Sequence, residues 1–151
     1  MESSAYANGY RTAEGNRLQA SFNVRDHIIA LSKSVRFRTW YGWGYSAGDY
    51  LIQGYPAGIA AATLSDELED YRFSRRIWTG NVDQWVVEFV DATGNKKLVA
   101  WNVWPATPAS CEYTPAANKP CKSVLGDPLS PVPADGTLSL SVDPVYINLD
   151  P

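Results

Sequence analysis

The chain has 151 residues, 45% of them apolar and 19% charged, the composition of a folded globular chain with length for one domain or two small ones. Its net charge of −3 leaves no basic stripe for nucleic acid. No run approaches the roughly 18 apolar residues that a membrane-spanning helix needs.

The opening stretch MESSAYANGYRTAEGN is polar and lacks a charged-then-apolar leader, so no signal peptide is expected from it. From Arg17 to Ser32, Leu18, Phe22, Val24, Ile28, Ile29 and Leu31 recur mostly at three and four, which predicts a one-sided helix. Val35 to Trp43 is rich in β-branched and aromatic residues and reads as a strand. It runs into the glycine-punctuated loop GWGYSAGD. Pro56 to Asp70 reads as a second helix, with proline in the first turn and alanine through the body. The acids at its end (Asp66, Glu67, Glu69, Asp70) are expected to form a solvated face.

After residue 70 the period becomes two. Tyr71, Phe73 and Ile77 are predicted on one face of a strand and Arg72, Ser74 and Arg76 on the other. Trp85, Val87 and Phe89 alternate with Val86, Glu88 and Val90. Glu88 then pairs by default with Arg72 or Arg76 across the strands. The turn DATGNKK leads to KLVAWNVW, with Val99, Trp101 and Val103 on one side; TLSLSV and VYINL close the chain. This pattern predicts an antiparallel sheet. Between Trp104 and Gly136 lies a proline-rich insertion, too long for an ordinary connection, that reads as a functional loop, a pinned excursion or a flexible segment. Cys111 and Cys121 sit inside it, either bridged as a disulfide that closes the loop or as two free thiols.

Six aromatic rings fall within Val35 to Tyr50, and rings at that density serve either a core or a sugar-stacking surface. With a single histidine, His27, neither a metal site nor a Ser-His-Asp arrangement is arguable, and no phosphate-cradling glycine motif occurs. No cofactor is expected.

Taken in order, the segments resemble the last quarter of the (β/α)8 barrels of retaining glycoside hydrolases of the family 5 and family 39 type, followed by their C-terminal β-domain. The residues carrying the resemblance are Gln19, Ala20, Val24 and Arg25 in the first helix, then Trp40, Tyr41 and Trp43 at the strand end. ATLSDELEDYRFSRRI resembles the final barrel helix and its exit, DQWVVEFVDATGNKKLVAWNV two central strands of the β-domain, and TLSLSVDPVYI its closing strands. The resemblance implies an α+β, mainly β fold: an antiparallel sheet or sandwich of the glycosidase C-terminal type preceded by a helix-strand-helix segment. Residues 1–70 would be the barrel-remnant segment and residues 71–151 the β-domain carrying the insertion at 105–136, together one compact unit.

The resemblance also places Glu2 where such enzymes carry their nucleophile, although the Gly-Tyr pair that should follow is displaced to Gly9 and Tyr10. A retaining mechanism needs a second carboxylate about 5–5.5 Å away, and the Asn-Glu pair that supplies it in these families is not in this sequence. A full barrel takes about 250 residues. The leading expectation is therefore a carbohydrate-binding, non-catalytic domain in which Trp40, Trp43, Tyr45, Asp49 and Tyr50, with Trp78 and Trp104 at strand ends, contact a poly- or oligosaccharide; Phe37, Trp85 and Trp101 would be core. Two alternatives stand beside it: a glycoside hydrolase using Glu2 in a minimal or oligomer-assembled site, and a structural self-associating domain. A homo-oligomer is expected under each, no nucleic-acid or membrane partner under any, and an extracellular setting if the resemblance holds.

Overall fold

The computed structural model describes residues 13–35, 55–104 and 109–150. Two helices, α1 (Ala13–Ser32) and α2 (Pro56–Leu68), precede eight short strands: β1 (Arg72–Ile77), β2 (Gln84–Val90), β3 (Lys96–Asn102), β4 (Ala109–Glu112), β5 (Cys121–Lys122), β6 (Pro128–Leu129), β7 (Thr137–Leu140) and β8 (Val145–Asn148). Six strands form one antiparallel sheet in the order β1-β2-β3-β8-β5-β6, and β4 pairs with β7 in a second. The fold is α+β and mainly β, with an antiparallel sheet as its centre, as the periodicity predicts. The strand expected over Val35 to Trp43 lies, past Val35, outside the described residues.

The alternation along β2 and β3 builds two cores. Val87, Phe89, Val99 and Trp101 face the helix side, where Ala20, Val24 and Ile28 of α1 and Ala60, Leu64 and Leu68 of α2 complete one cluster. Val86, Leu98 and Ala100 face the other way and pack with Leu138, Leu140 and Ile147. The large sheet is therefore covered on both faces, which is why its central strands read as nearly continuous apolar runs.

The helix layer is tied to the sheet by charge as well as packing. Arg17 and Ser21 of α1 both hydrogen-bond the carboxylate of Asp143, in the turn before β8. Glu67 of α2 accepts from Lys97 of β3 at 2.8 Å and from Lys122 of β5 at 2.5 Å. Glu67 thus leaves the expected solvated face, because the sheet beneath α2 presents two ammonium groups to it; Asp66, Glu69 and Asp70 stay exposed.

Three further expectations are corrected. First, α1 is not one-sided: Gln19, Ala20 and Ser21, then Asn23, Val24 and Arg25, are all buried, while Leu31 is exposed. Consecutive residues point about 100° apart on a helix, so three buried in a row mean that more than one side of α1 is covered. Second, a register shift between Phe73 and Arg75 breaks the alternation of β1. Phe73 packs on the helix side beside Phe89, but Ile77 falls on the opposite face. A bulge inserts one residue and so reverses every side chain beyond it. Glu88 accordingly meets Arg75, its register partner at 3.2 Å, and Lys96 at 3.6 Å, rather than Arg72 or Arg76. Third, the insertion is built rather than loose: from 109 on it contains β4, a 3-10 turn (Thr114–Ala116), β5 and β6. Gly136, at φ +78°, closes it against the Tyr113 carbonyl and the Thr114 backbone, 2.9 Å from where a Cβ would stand.

Candidate functional site: the tryptophan-bearing end of the sheet

β1 ends, β2 begins and β3 ends at the same margin of the large sheet. On the helix face of that margin the register places Trp85 opposite Trp101, and their rings stack at 5.3 Å with planes 11° apart. Trp101 is fully buried. The Arg76 guanidinium caps the stack, 3.8 Å from the Trp85 ring centre. Its Nη2 donates to the carbonyls of Val82 (2.9 Å) and Gln84 (3.0 Å). Burial pushes this guanidinium below its usual pKa, yet an arginine stays charged in proteins. Arg76 thereby fixes the β1–β2 turn, residues 78–83, to a rigid aromatic base.

The neighbouring segment after β3 is tied to that turn. Val103 N–H donates to the Asp83 carbonyl at 2.8 Å, and Asn102 Nδ2 donates to the Trp104 carbonyl at 3.0 Å. Within the turn, Asp83 N–H donates to Asn81 Oδ1 at 2.9 Å and Gly80 takes φ +88°. From this braced margin three large apolar side chains project into solvent: Trp78 is 67% exposed, Val82 65% and Trp104 62%. An indole held out on hydrogen-bonded backbone is suited to stacking on planar, partly apolar ligands.

Of the residues singled out from sequence, Trp78 and Trp104 are brought to one end of the sheet. Trp101 is core and Trp85 is partly buried against it. Glu2, Trp40, Trp43, Tyr45, Asp49 and Tyr50, together with Phe37, lie outside the described residues. Cys111 and Cys121 are free thiols on strands of different sheets, so the bridged alternative is not the one formed. Burial pushes both thiols up from their ordinary pKa. Val82 and Asp83 were not anticipated, because TGNVD reads simply as a turn; the signal was its position between two tryptophans.

Among the described residues, an open apolar groove lies between the 128–133 segment and strands β7 and β8, lined by Leu129, Pro131, Val132, Leu138, Val145 and Cys121. No charged side chain lines it, and its one titratable group is the Cys121 thiol. Among the described residues no cluster of His, Cys, Asp and Glu could hold a metal ion, and no helix is long and apolar enough to cross a membrane.

No family model and no curated protein matches this sequence. A solved family 39 glycoside hydrolase from the gut symbiont Bacteroides cellulosilyticus WH2 aligns with 87% of the chain at a TM-score of 0.69 and 15% identity. What is shared is the fold. The chain spans 30% of that glycoside hydrolase, so the likeness is to a part of it. The family 39 side of the expected resemblance is thereby matched at the level of fold.

Proposed function

We propose that this chain is a carbohydrate-binding part of a glycoside-hydrolase-type protein, taking a poly- or oligosaccharide on the tryptophan-bearing end of its large sheet. The observation that carries the reading is the exposure of both Trp78 and Trp104, just past the ends of β1 and β3, on backbone braced by Arg76 and Asn102. Indole faces stack on the apolar side of a pyranose, and preorganised aromatics lose little entropy on binding. Trp40, Trp43, Tyr45, Asp49 and Tyr50 belong to the same proposal as further contacts, on the strength of the resemblance.

Among the described residues, binding is favoured over cleavage because Glu67 and Glu88, the carboxylates most enclosed by cations, are engaged. Glu67 is held by Lys97 and Lys122, and Glu88 by Arg75 and Lys96. In both, burial pushes the carboxyl up, but the hydrogen bonds and charges of these partners outweigh it and hold the group below its ordinary value. A carboxyl so held is a poor proton donor near neutral pH. The catalytic reading then rests on Glu2, by resemblance alone.

Affinity electrophoresis through gels containing soluble β-glucan or xylan tests the proposal. Wild type is expected to be retarded, and Trp78→Ala and Trp104→Ala each to lose about tenfold or more in affinity, since truncating an anchoring tryptophan commonly removes 2 kcal/mol or more. Retardation that survives both substitutions would remove the tryptophans from the site.

Self-association is the second reading, favoured by the exposure of Leu31 and Val35 at the end of α1 and of Tyr55 and Ile59 at the start of α2. Light scattering that returns a monomer mass across concentrations would exclude it.

A further inference from the structure

We propose that the free edge of the Arg76 guanidinium is a subsite for an oxyanion carried by the sugar, a carboxylate or a sulfate ester. The proposal rests on the carbohydrate-binding reading above and adds to it a residue and a ligand class, anionic saccharides in preference to neutral ones.

Arg76 is a cation whose charge is unmatched. Its Nη2 is used on the Val82 and Gln84 carbonyls, and both acceptors are neutral. Nε is buried without a hydrogen-bond partner, whereas Nη1 makes no hydrogen bond and stays in contact with solvent. Among the described residues no carboxylate pairs with it, while Arg17 holds Glu14 and Asp143 and Arg75 holds Glu88. Burial pushes Arg76 below its ordinary pKa and no carboxylate lifts it, the reverse of Arg17 and Arg75. An exposed arginine such as Arg72 keeps its water. A half-buried one has given part of it up, and an anion restores what was lost.

The group is also fixed in place. The Trp85 ring lies 3.8 Å from the guanidinium carbon and covers one of its faces, and the two carbonyls keep Nη2 from swinging out to water. With Nη2 occupied and Nε buried, Nη1 is the donor left for a ligand. Arg76 pairs with Val87 and Ile77 with Val86 as β1 ends, and exposed Trp78 comes next. Trp78 is two residues on from Arg76, the repeat that returns a side chain to the same face of a strand. An indole to stack on a sugar ring and a cation to meet its substituent are thus one strand repeat apart. The net charge of −3 disfavours general attraction to a polyanion, so a preference for one points to a local cation.

The test is affinity electrophoresis through hydroxyethyl-, carboxymethyl- and sulfated cellulose, one β-glucan backbone with a neutral or an anionic substituent, with urea midpoints to confirm folding. Wild type is expected to bind at least one anionic polymer about fivefold or more tighter than the neutral one, the scale of a partly screened charge-assisted hydrogen bond. Preference for one anionic polymer over the other identifies the oxyanion. The preference is expected to shrink with added salt, to survive in Arg76→Lys and to vanish in Arg76→Gln. Because Arg76 also braces the turn, Val82→Glu serves as an independent variant. It puts a carboxylate on an exposed side chain whose own carbonyl Arg76 holds, and it is expected to abolish the preference in a folded protein. Equal binding of all three polymers by wild type overturns the proposal and leaves the tryptophan reading standing. So does a preference that outlasts Arg76→Gln, or that outlasts Val82→Glu where Arg76→Gln fails to fold. If wild type binds none of the polymers, or Trp78→Ala and Trp104→Ala both bind like wild type, the carbohydrate reading fails and takes this one with it.

Discussion

Replacing Glu88 by glutamine tests how the sheet tolerates a carboxylate in its middle strand. Glu88 is 2% exposed and faces the second core, where it accepts from Ser74 Oγ at 3.0 Å and from Arg75 at 3.2 Å, with Lys96 at 3.6 Å. A hydrogen bond to a charged group contributes about 1.5–3 kcal/mol. Here the two cations keep 60% and 46% of their side-chain surface in water, so removing the charge strands neither of them. That separates the case from the about 3–5 kcal/mol lost when a fully buried ion loses its partner. Glutamine keeps the shape and one acceptor, and the net cost comes to about 1–2 kcal/mol. With an m-value of about 2 kcal/mol/M, the urea midpoint drops by about 0.5–1 M.

The sign with pH follows from the direction of the shift. Burial pushes the Glu88 carboxyl up, and the hydrogen bonds from Arg75 and Ser74 with the charges of Arg75 and Lys96 overcome it, so the folded value lies below the ordinary one. The stabilisation is therefore present above the unfolded value of about 4.3 and is lost as pH falls through the folded value. Urea melts of wild type and Glu88→Gln at pH 7 and pH 3 should show the gap closing on acidification. A gap unchanged at pH 3, or a cost of about 4 kcal/mol or more at pH 7, would refute the reasoning.

Trp101→Ala removes a fully buried indole and the base of the Trp85 stack. It should cost about 3–5 kcal/mol, read as a lowered thermal midpoint, and a loss under 1 kcal/mol would place Trp101 outside the core. Gly94 and Gly136 both take positive φ, but a Cβ on Gly94 meets open space whereas one on Gly136 meets the Tyr113 carbonyl and the Thr114 backbone at 2.9 Å. Alanine at either should cost about 1–2 kcal/mol of left-handed strain. At Gly136 crowding adds about 1–3 kcal/mol, so equal urea midpoints for the two variants would contradict the described packing.

The legible parts of this fold are those whose sequence pattern and burial share one cause. β7 alternates because it presents one face to a core, β2 and β3 are nearly continuous apolar runs because each faces a core on both sides, and α2 has proline in its first turn and alanine through its body. Three features had no such signature. The bulge in β1 is set by pairing with β2, and RFSRRI alternates well enough to hide it. β5 and β6 are two residues each, too short for any period, and exist because β8 offers β5 an edge and β5 offers one to β6. The buried Gln19, Asn23 and Arg25 depend on what surrounds α1 rather than on α1 itself. At the candidate site, Trp78 and Trp104 were visible as tryptophans at strand ends. That both sit at one margin required the register.

The strand order has a consequence for solubility. The outer described strands of the large sheet are β1 and β6. β1 carries three arginines in six residues and a register shift, while β6 is two residues long and begins with Pro128, which has no N–H to offer. Charge, irregularity and proline are the devices that stop one sheet from templating another. Among the described residues, both outer strands of this sheet are thus poor templates for amyloid-like growth, which favours contact between copies through side chains over lengthening of the ladder.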